Sequence, residues 1–216
     1  MDRELDTLSR LDWTEVESAG RIAARVAQTI RQPGPLRELL EHCTKDERLL
    51  GLSERQWWGD RIVLFDDPAS MLRIRLHRFD AGTHFPHSHR WPFHTTILAG
   101  RYVHRLYGPE QFVRDAARAG TGFLQPSVVR EEGAGANYVL DQHIVHSVTP
   151  CANTFSLVIQ GPRLKDTSLR TGPDGSIIWK GGRSTETADS IEMARMTEEH
   201  LDSIRVVALE RSLLDR

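Results

Sequence analysis

Residues 82–100 read GTHFPHSHRWPFHTTILAG, and this stretch places four histidines within eleven positions. His87 and His89 are two residues apart, so on an extended strand both side chains point to the same face. Two imidazoles on one face can bind one metal ion, with about 2.0–2.1 Å between each nitrogen and the ion. Gly82 and Gly100 bracket the stretch and are typical of turns between strands. The stretch therefore predicts a metal site at the end of a strand.

Histidine is the unusual entry in an otherwise ordinary composition. The chain has 216 residues, of which 39% are hydrophobic, and 28 basic residues oppose 30 acidic ones for a net charge of -2. This balance fits a soluble globular protein and argues against nucleic acid as a partner, because no excess of Lys and Arg is available to replace phosphate counterions. Seven of the ten histidines fall within one part of the chain: His84, His87, His89, His94, His104, His143 and His146.

The sequence shows no sign of secretion or membrane insertion. Cys43 and Cys151 are far apart and match no metal-binding or disulfide spacing. No apolar run reaches the length of about 18 residues that a membrane helix needs, and the first residues lack the apolar core of a signal peptide. These observations predict a cytoplasmic protein that has no membrane partner.

The hydrophobic pattern divides the chain into three parts. Up to residue 60 it predicts helices, since Ile22, Val26 and Ile30 recur with helical spacing. From 61 to 182 it predicts many short strands separated by turn residues, with no helix between them. From 183 to 216 a helical period returns. Short strands in series predict a mainly β protein with an antiparallel jelly-roll barrel and helical N-terminal and C-terminal segments.

The histidine-rich stretch resembles the first motif of the cupin superfamily, G(x)5HxH(x)3-4E(x)6G. Gly82, His87, His89 and Gly100 match it, with four residues in place of five after the first glycine. Phe93 occupies the glutamate position. The second cupin motif, G(x)5PxG(x)2H(x)3N, is matched by its first glycine and its histidine, which are Gly135 and His146.

The resemblance implies a double-stranded β-helix in which His87, His89 and His146 bind a divalent metal ion. Cupins without the glutamate ligand are similar to thiol dioxygenases and diketone-cleaving enzymes, and this similarity favours Fe(II). Imidazole ligands also suit Zn, Ni or Cu.

His94 leaves the number of ligands open. A gap of one residue in the motif would place it at the glutamate position and make a four-histidine site. Against this, Phe93, Thr95 and Ile97 share one face of the predicted strand, and His94 points to the other face. The sequence is therefore compatible with three histidine ligands and with four.

Residues near the predicted metal site are candidates for contact with substrate. Arg90 directly follows the HxH pair, while Tyr102 and His104 share one face of a later strand. Tyr138 is a second candidate phenol. Three further side chains alternate along one strand, and the simpler interpretation places them in solvent; turned inward, the two arginines would bind a carboxylate or phosphate. These residues are Arg73, Arg75 and His77.

Three functions follow from the resemblance. The first is an Fe(II) oxygenase or dioxygenase that acts on a small organic substrate with O₂. The second is a non-redox metal enzyme, a lyase, isomerase or cyclase. The third is a cupin that binds a small molecule without turnover. We expect the N-terminal helices either to pack on an outer sheet face or to form the contact of a homodimer, and Trp57 and Trp58 to attach the helical segment to the barrel.

Overall fold

The computed structural model describes residues 2–120, 124–182 and 185–214. Four helices begin the chain: α1 (Asp2–Ser9), α2 (Val16–Ile30), α3 (Pro33–Lys45) and α4 (Glu47–Leu52). The predicted helix with Ile22, Val26 and Ile30 is confirmed as α2. Pro33 is the first residue of α3, where its missing N–H costs no helical hydrogen bond.

Eleven strands follow in the described part of the chain, and most of them form two antiparallel sheets. The strands are β1 (Glu54–Gln56), β2 (Gly59–Asp67), β3 (Leu72–Phe79), β4 (Phe93–Ala99), β5 (Arg101–Pro109), β6 (Val128–Gly133), β7 (Asn137–Leu140), β8 (Ile144–Pro150), β9 (Thr154–Gln160), β10 (Ser168–Thr171) and β11 (Ile177–Lys180). One sheet has the order β1-β2-β3-β9-β4-β7 and the other has the order β6-β5-β8. β10 and β11 form a separate hairpin. The predicted mainly β jelly-roll architecture is confirmed.

The two sheets face each other across a cavity. Residues of β3, β4 and β9 line it from the larger sheet, and residues of β5 and β8 line it from the smaller one. β4 and β9 are buried along their whole length, so the larger sheet is covered on both faces. The side that points away from the cavity must therefore pack against other elements.

The helices provide that covering. One continuous apolar core contains residues from α2, α3 and α7, and from the outward-facing positions of the larger sheet, among them Ala27, Leu40, Ile204, Ile74 and Leu157. Trp13, which precedes α2, packs on Gly161, where an added Cβ would lie only 2.4 Å from the indole ring. The N-terminal segment therefore packs on the outer face of the larger sheet, which is one of its two predicted positions.

One prediction of secondary structure was wrong. A helix, α5 (Glu110–Arg118), lies between β5 and β6, where no helix was predicted, and Val113 is its buried residue. The C-terminal segment is helical as predicted, and it contains α6 (Ala188–Met193) and α7 (Glu198–Glu210). The predicted boundary at residue 183 lies outside the described residues. No helix in the described ranges combines the length and hydrophobicity that crossing a bilayer requires.

His94 lies on the outer face of β4. Phe93 and Thr95, on either side of it, line the cavity, and α2 packs against β4 from the other side. The His94 ring is buried beside the side chain of Asn137. Burial lowers the pKa of His94 from 6.5 to about 4. The ring is therefore neutral at pH 7.

Because the helices and the larger sheet share one core, we expect them to unfold together. Leu40→Ala removes a fully buried side chain from α3 and should lower the free energy of unfolding by about 2–5 kcal/mol. Leu209→Ala, at a position 41% exposed on α7, is the control and should cost less than about 1 kcal/mol. Far-UV circular dichroism and tryptophan fluorescence should give coincident transitions. Loss of helix before the fluorescence change would contradict a shared core.

The depressed pKa of His94 makes stability depend on pH. Between pH 6.5 and pH 4 the unfolded chain binds a proton at this ring and the folded chain does not, so the free energy of unfolding falls as the pH is lowered. His94 contributes up to about 3 kcal/mol of this loss. His94→Leu should make denaturant midpoints less sensitive to pH across this window, whereas His42→Leu, at a side chain 64% exposed, should not. Equal pH dependence in wild type and His94→Leu would contradict the assignment.

Candidate metal centre

Three of the predicted ligands converge at one end of the cavity. The ligand nitrogens of His87, His89 and His146 lie within 4.8 Å of one another. His87 and His89 precede β4, whereas His146 belongs to β8 in the opposite sheet. A pair of backbone hydrogen bonds, each 2.9 Å long, joins His87 to His146 and links the two segments directly. The cluster therefore depends on contact between the two sheets.

Hydrogen bonds orient two of the three rings. His87 Nδ1 lies 2.8 Å from the carbonyl oxygen of Phe85, so Nδ1–H donates and Nε2 keeps its lone pair. His146 Nδ1 lies 2.9 Å from Nε2 of His104, which leaves the His146 Nε2 lone pair directed at the cluster. His89 Nε2 lies 2.9 Å from His146 Nε2. Two nitrogens bound to one ion at a right angle lie about 3 Å apart, so this spacing fits a shared metal ion.

His104 continues the chain of hydrogen bonds behind His146. Its Nδ1 lies 3.4 Å from a carboxylate oxygen of Glu132, which also pairs with Arg130. His104 is fully buried and is not part of the cavity lining. His104, which we predicted as a catalytic residue, lies behind His146 and outside the cavity lining.

The histidines of the cluster are neutral at pH 7. Burial lowers the pKa of His87, and it lowers the pKa values of His89 and His146 well below 6.5. Burial also lowers the pKa of His104 to about 4. Neutral imidazoles offer lone pairs, which metal binding requires. The donor set therefore fits a divalent metal ion.

Phe93, which occupies the glutamate position of the motif, faces the histidine cluster. The Phe93 ring lies 4.5 Å from the ring of His89 and 5.8 Å from that of His146, measured between centroids. His94 does not belong to the group of converging nitrogens found among the described residues. The structure thus brings three histidines together and leaves the contested fourth on the opposite face of β4.

Ser88 anchors the loop that carries the HxH pair. Its hydroxyl group contacts Glu110 at the start of α5 and accepts a 2.9 Å hydrogen bond from the backbone N–H of Leu169. Lys165 pairs with the same glutamate. His143 is exposed, with its ring 3.7 Å from Glu110, and takes no part in the cluster. Ser88 thus fixes the loop on one side, while the nitrogens of His87 and His89 point to the other side.

The cavity beside the cluster has a volume of about 500 Å³. Arg90 and Tyr102 both line it, as predicted for residues near substrate. Arg90 donates a 2.6 Å hydrogen bond to the carbonyl oxygen of Gly181. The hydroxyl groups of Tyr102 and Tyr138 are 2.6 Å apart, and burial raises the pKa of Tyr138 to about 12. Both phenols are therefore protonated at neutral pH and can donate hydrogen bonds.

The expectation that Arg75 and His77 lie in solvent was wrong. Both side chains line the cavity, because Ile74 and Leu76, which alternate with them on β3, pack against the helices. Arg73, on the same strand, instead pairs with Asp66 at 2.6 Å. The period-two pattern was visible in the sequence, but it does not say which face is turned outward.

Two tryptophan side chains lie closer to the site than we predicted from the sequence. Trp57 and Trp58 line the cavity, although we predicted that they only attach the helices to the barrel. The Trp58 ring lies 5.5 Å from the His77 ring and 5.1 Å from the His84 ring. His84 therefore belongs to the cavity wall. In the sequence, the pair of adjacent tryptophans before the first long strand was the signal for an aromatic cavity wall.

Comparison with known proteins gives matches in structure alone. The sequence matches no protein-family model and no curated protein sequence. KdgF from Halomonas sp. is 15% identical over 50% of this chain and 83% of its own, with a TM-score of 0.38. An RmlC-like cupin from Shewanella frigidimarina is 14% identical over 52% and 86%, with a TM-score of 0.37. DMSP lyase DddQ from Ruegeria pomeroyi is 17% identical over 55% and 54%, with a TM-score of 0.41.

The assignment of the fold depends on features of the chain itself. Two antiparallel sheets enclose the cavity. The HxH pair precedes a strand of the larger sheet, and the third histidine comes from the smaller sheet. Gly82 and Gly100, which match the glycines of the first cupin motif, both have positive φ, at 144° and 76°. This chain has a double-stranded β-helix fold, as the resemblance of its histidine motif to that of cupins implied.

Proposed function

We propose that this protein is a metal-dependent enzyme that converts a small organic substrate by Fe(II)-dependent dioxygenase chemistry. The observation that carries the proposal is the set of three neutral histidine nitrogens beside a cavity of substrate size. No carboxylate joins this set among the described residues. A bound Fe(II) ion would supply open coordination positions for substrate and O₂ at this end of the cavity.

The chain's own residues prepare the cavity for such chemistry. Phe93 and Val158 present apolar surface beside the histidines, which limits access of water to the reacting atoms. The paired phenols of Tyr102 and Tyr138 can hold a proton close to a substrate oxygen. Arg90, held by the carbonyl oxygen of Gly181, contributes a positive charge to the wall. Substrate orientation, exclusion of water and proton donation are thus assigned to separate side chains.

A non-redox reaction is the second candidate, and the phenol pair favours it. A lyase, isomerase or cyclase needs a positioned proton donor, and the hydrogen-bonded hydroxyl groups of Tyr102 and Tyr138 provide one. In that case zinc or nickel at the three histidines would act as a Lewis acid. The two candidates differ in their need for O₂.

The first experiment measures O₂ consumption by protein that has been reconstituted anaerobically with Fe(II). We expect Fe(II)-dependent uptake with at least one member of a panel of thiols, diketones and carboxylic acids. His87→Ala should lose both metal binding and uptake, because two histidines remain where three are needed. His143→Ala, at an exposed histidine outside the cluster, is the control and should retain both.

The panel also separates the candidates. Conversion at equal rates without O₂ in the zinc or nickel protein would refute the dioxygenase and support the non-redox enzyme. Metal-independent binding of panel members without conversion would refute both and leave a binding protein.

A second prediction concerns the hydrogen bonds behind His146. Glu132→Ala removes the carboxylate that holds His104, and His104 in turn orients His146. We expect the affinity for Zn(II), measured by competition with a chromophoric chelator, to fall about 10- to 100-fold. Glu131→Ala is the matched control, because the neighbouring side chain is 57% exposed and pairs with Arg101 on the surface. Equal affinities in the two variants would show that the carboxylate does not support the ligand.

A further inference from the structure

Arg75 is a buried positive charge in the wall of the cavity. Its relative exposure is 8%, and no carboxylate of the described residues lies within 4.0 Å of its guanidinium group. Nη1 donates a 2.5 Å hydrogen bond to the side-chain oxygen of Gln160, and the group lies 5.7 Å from the centre of the Trp91 ring. Burial lowers the pKa of Arg75 well below its usual value. A charge in this position is costly unless an opposite charge approaches it.

The neighbouring arginines on the same strands have partners, which sets Arg75 apart. Arg73 pairs with Asp66, and Arg61 pairs with Glu54. Arg75 stands between them on the inner face of the larger sheet, opposite Val158 of β9 in the strand register. Its remaining polar edge therefore faces the cavity rather than a side chain of the protein.

Uncharged rings lie beside Arg75, although other basic side chains, among them Arg61, Arg90 and Arg170, also line the cavity. His77 Nε2 and His84 Nε2 are buried and have no hydrogen-bond partner among the described residues. Burial lowers the pKa of His77 well below 6.5 and that of His84 to about 3, so both rings are neutral at pH 7. Trp58 and Phe79 pack against these rings. A ligand beside Arg75 meets a buried guanidinium group, neutral imidazoles and aromatic rings.

We infer that the substrate of the proposed metal site is a small carboxylic acid with an aromatic or other apolar body, and that its carboxylate pairs with Arg75. That this carboxylic acid is a substrate, and not only a bound ligand, rests on the proposed function. A guanidinium group binds a carboxylate through two parallel hydrogen bonds. The apolar body then lies against Trp91 and Phe93, and Phe93 is in contact with the ligand His89.

The number of charges favours a carboxylate over a phosphate ester. Gln160 already uses part of the Arg75 fork, so one edge remains for one anionic group. The second charge of a phosphate dianion would need another cation, because an unpaired buried charge is costly. Two other arginines of the lining already have partners, since Arg61 pairs with Glu54 and Arg90 donates to the carbonyl oxygen of Gly181.

Isothermal titration calorimetry with benzoate, benzamide and phenyl phosphate tests the inference. Each titration uses metal-free protein, prepared with a chelator, and Zn(II)-loaded protein, since a carboxylate can also bind a metal directly. We expect benzoate to bind both forms and to bind at least tenfold more tightly than benzamide. Arg75→Gln should weaken benzoate binding about 10- to 100-fold in both forms and leave benzamide binding unchanged.

Two further variants provide the controls. Arg73→Gln lies two residues away on the same strand, outside the cavity lining, and should bind benzoate like the wild type; Asp66 keeps its second partner, Arg48. Arg75→Lys retains the charge and loses the fork, so it should bind with intermediate affinity. It also keeps the test valid if Arg75→Gln does not fold, which circular dichroism checks.

The outcomes distinguish this inference from the proposed function. Equal benzoate affinity in wild type and Arg75→Gln, benzoate binding by the Zn(II)-loaded form alone, or tighter binding of phenyl phosphate would overturn the inference, even if the enzyme is active. Binding of benzoate that depends on Arg75, combined with no conversion of any panel member by the metal-loaded protein, would support a carboxylate site and refute the proposed enzyme.

Discussion

The apolar outer face of the six-stranded sheet has to be kept from water, and the helices at both ends of the chain cover it. Side chains such as Ile74, Leu76 and Leu157 pack there against α2, α3 and α7. Strand geometry then directs the intervening residues of β3 and β9 to the other side, since successive side chains alternate between faces. Arg75 and His77 face inward for this reason. The chemistry of the cavity is thus a consequence of where the apolar surface is buried.

The histidine cluster adds a second requirement, because its members come from the loop before β4 and from β8. The paired backbone hydrogen bonds between His87 and His146 close the distance between the loop before β4 and strand β8. Ser88, between the two histidines of the HxH pair, holds the same loop to α5 through Glu110. Alternation along the loop separates these tasks. The histidines turn toward the cavity, and the serine turns toward the supporting ion pair.

Burial lowers the pKa values of the histidines and of Arg75 in the cavity wall. Desolvation lowers the pKa values of the cluster histidines and keeps them neutral, which suits metal binding. The same effect lowers the pKa of Arg75, whose guanidinium group has no carboxylate within 4.0 Å among the described residues. Glu132 pairs with Arg130 at the barrel surface while supporting His104 from behind. Glu132 thus supports the histidine cluster from outside the cavity, whereas Glu54 pairs with Arg61 in the cavity wall.

Much of the architecture followed from local pattern. Period-two alternation and turn residues predicted the strands, and the resemblance around Gly82, His87, His89 and Gly100 predicted the jelly roll and three histidines that the structure brings together. α5 was missed although Val113 and Ala117 have helical spacing, because its nine residues are fewer than the window of about 11 over which a helical period is recognised.

The sequence by itself determined the spacing of the histidines and the alternation of polar and apolar residues, since both are properties of a local strand. Tertiary structure decided which face looks inward. Position 93, rather than position 94, faces the ligands, and Arg75 and His77 lie in the cavity rather than in solvent. The physical reason is that alternation is symmetric until a second layer covers one side. The helices on the outer face break that symmetry, and no single strand contains the information about where they pack.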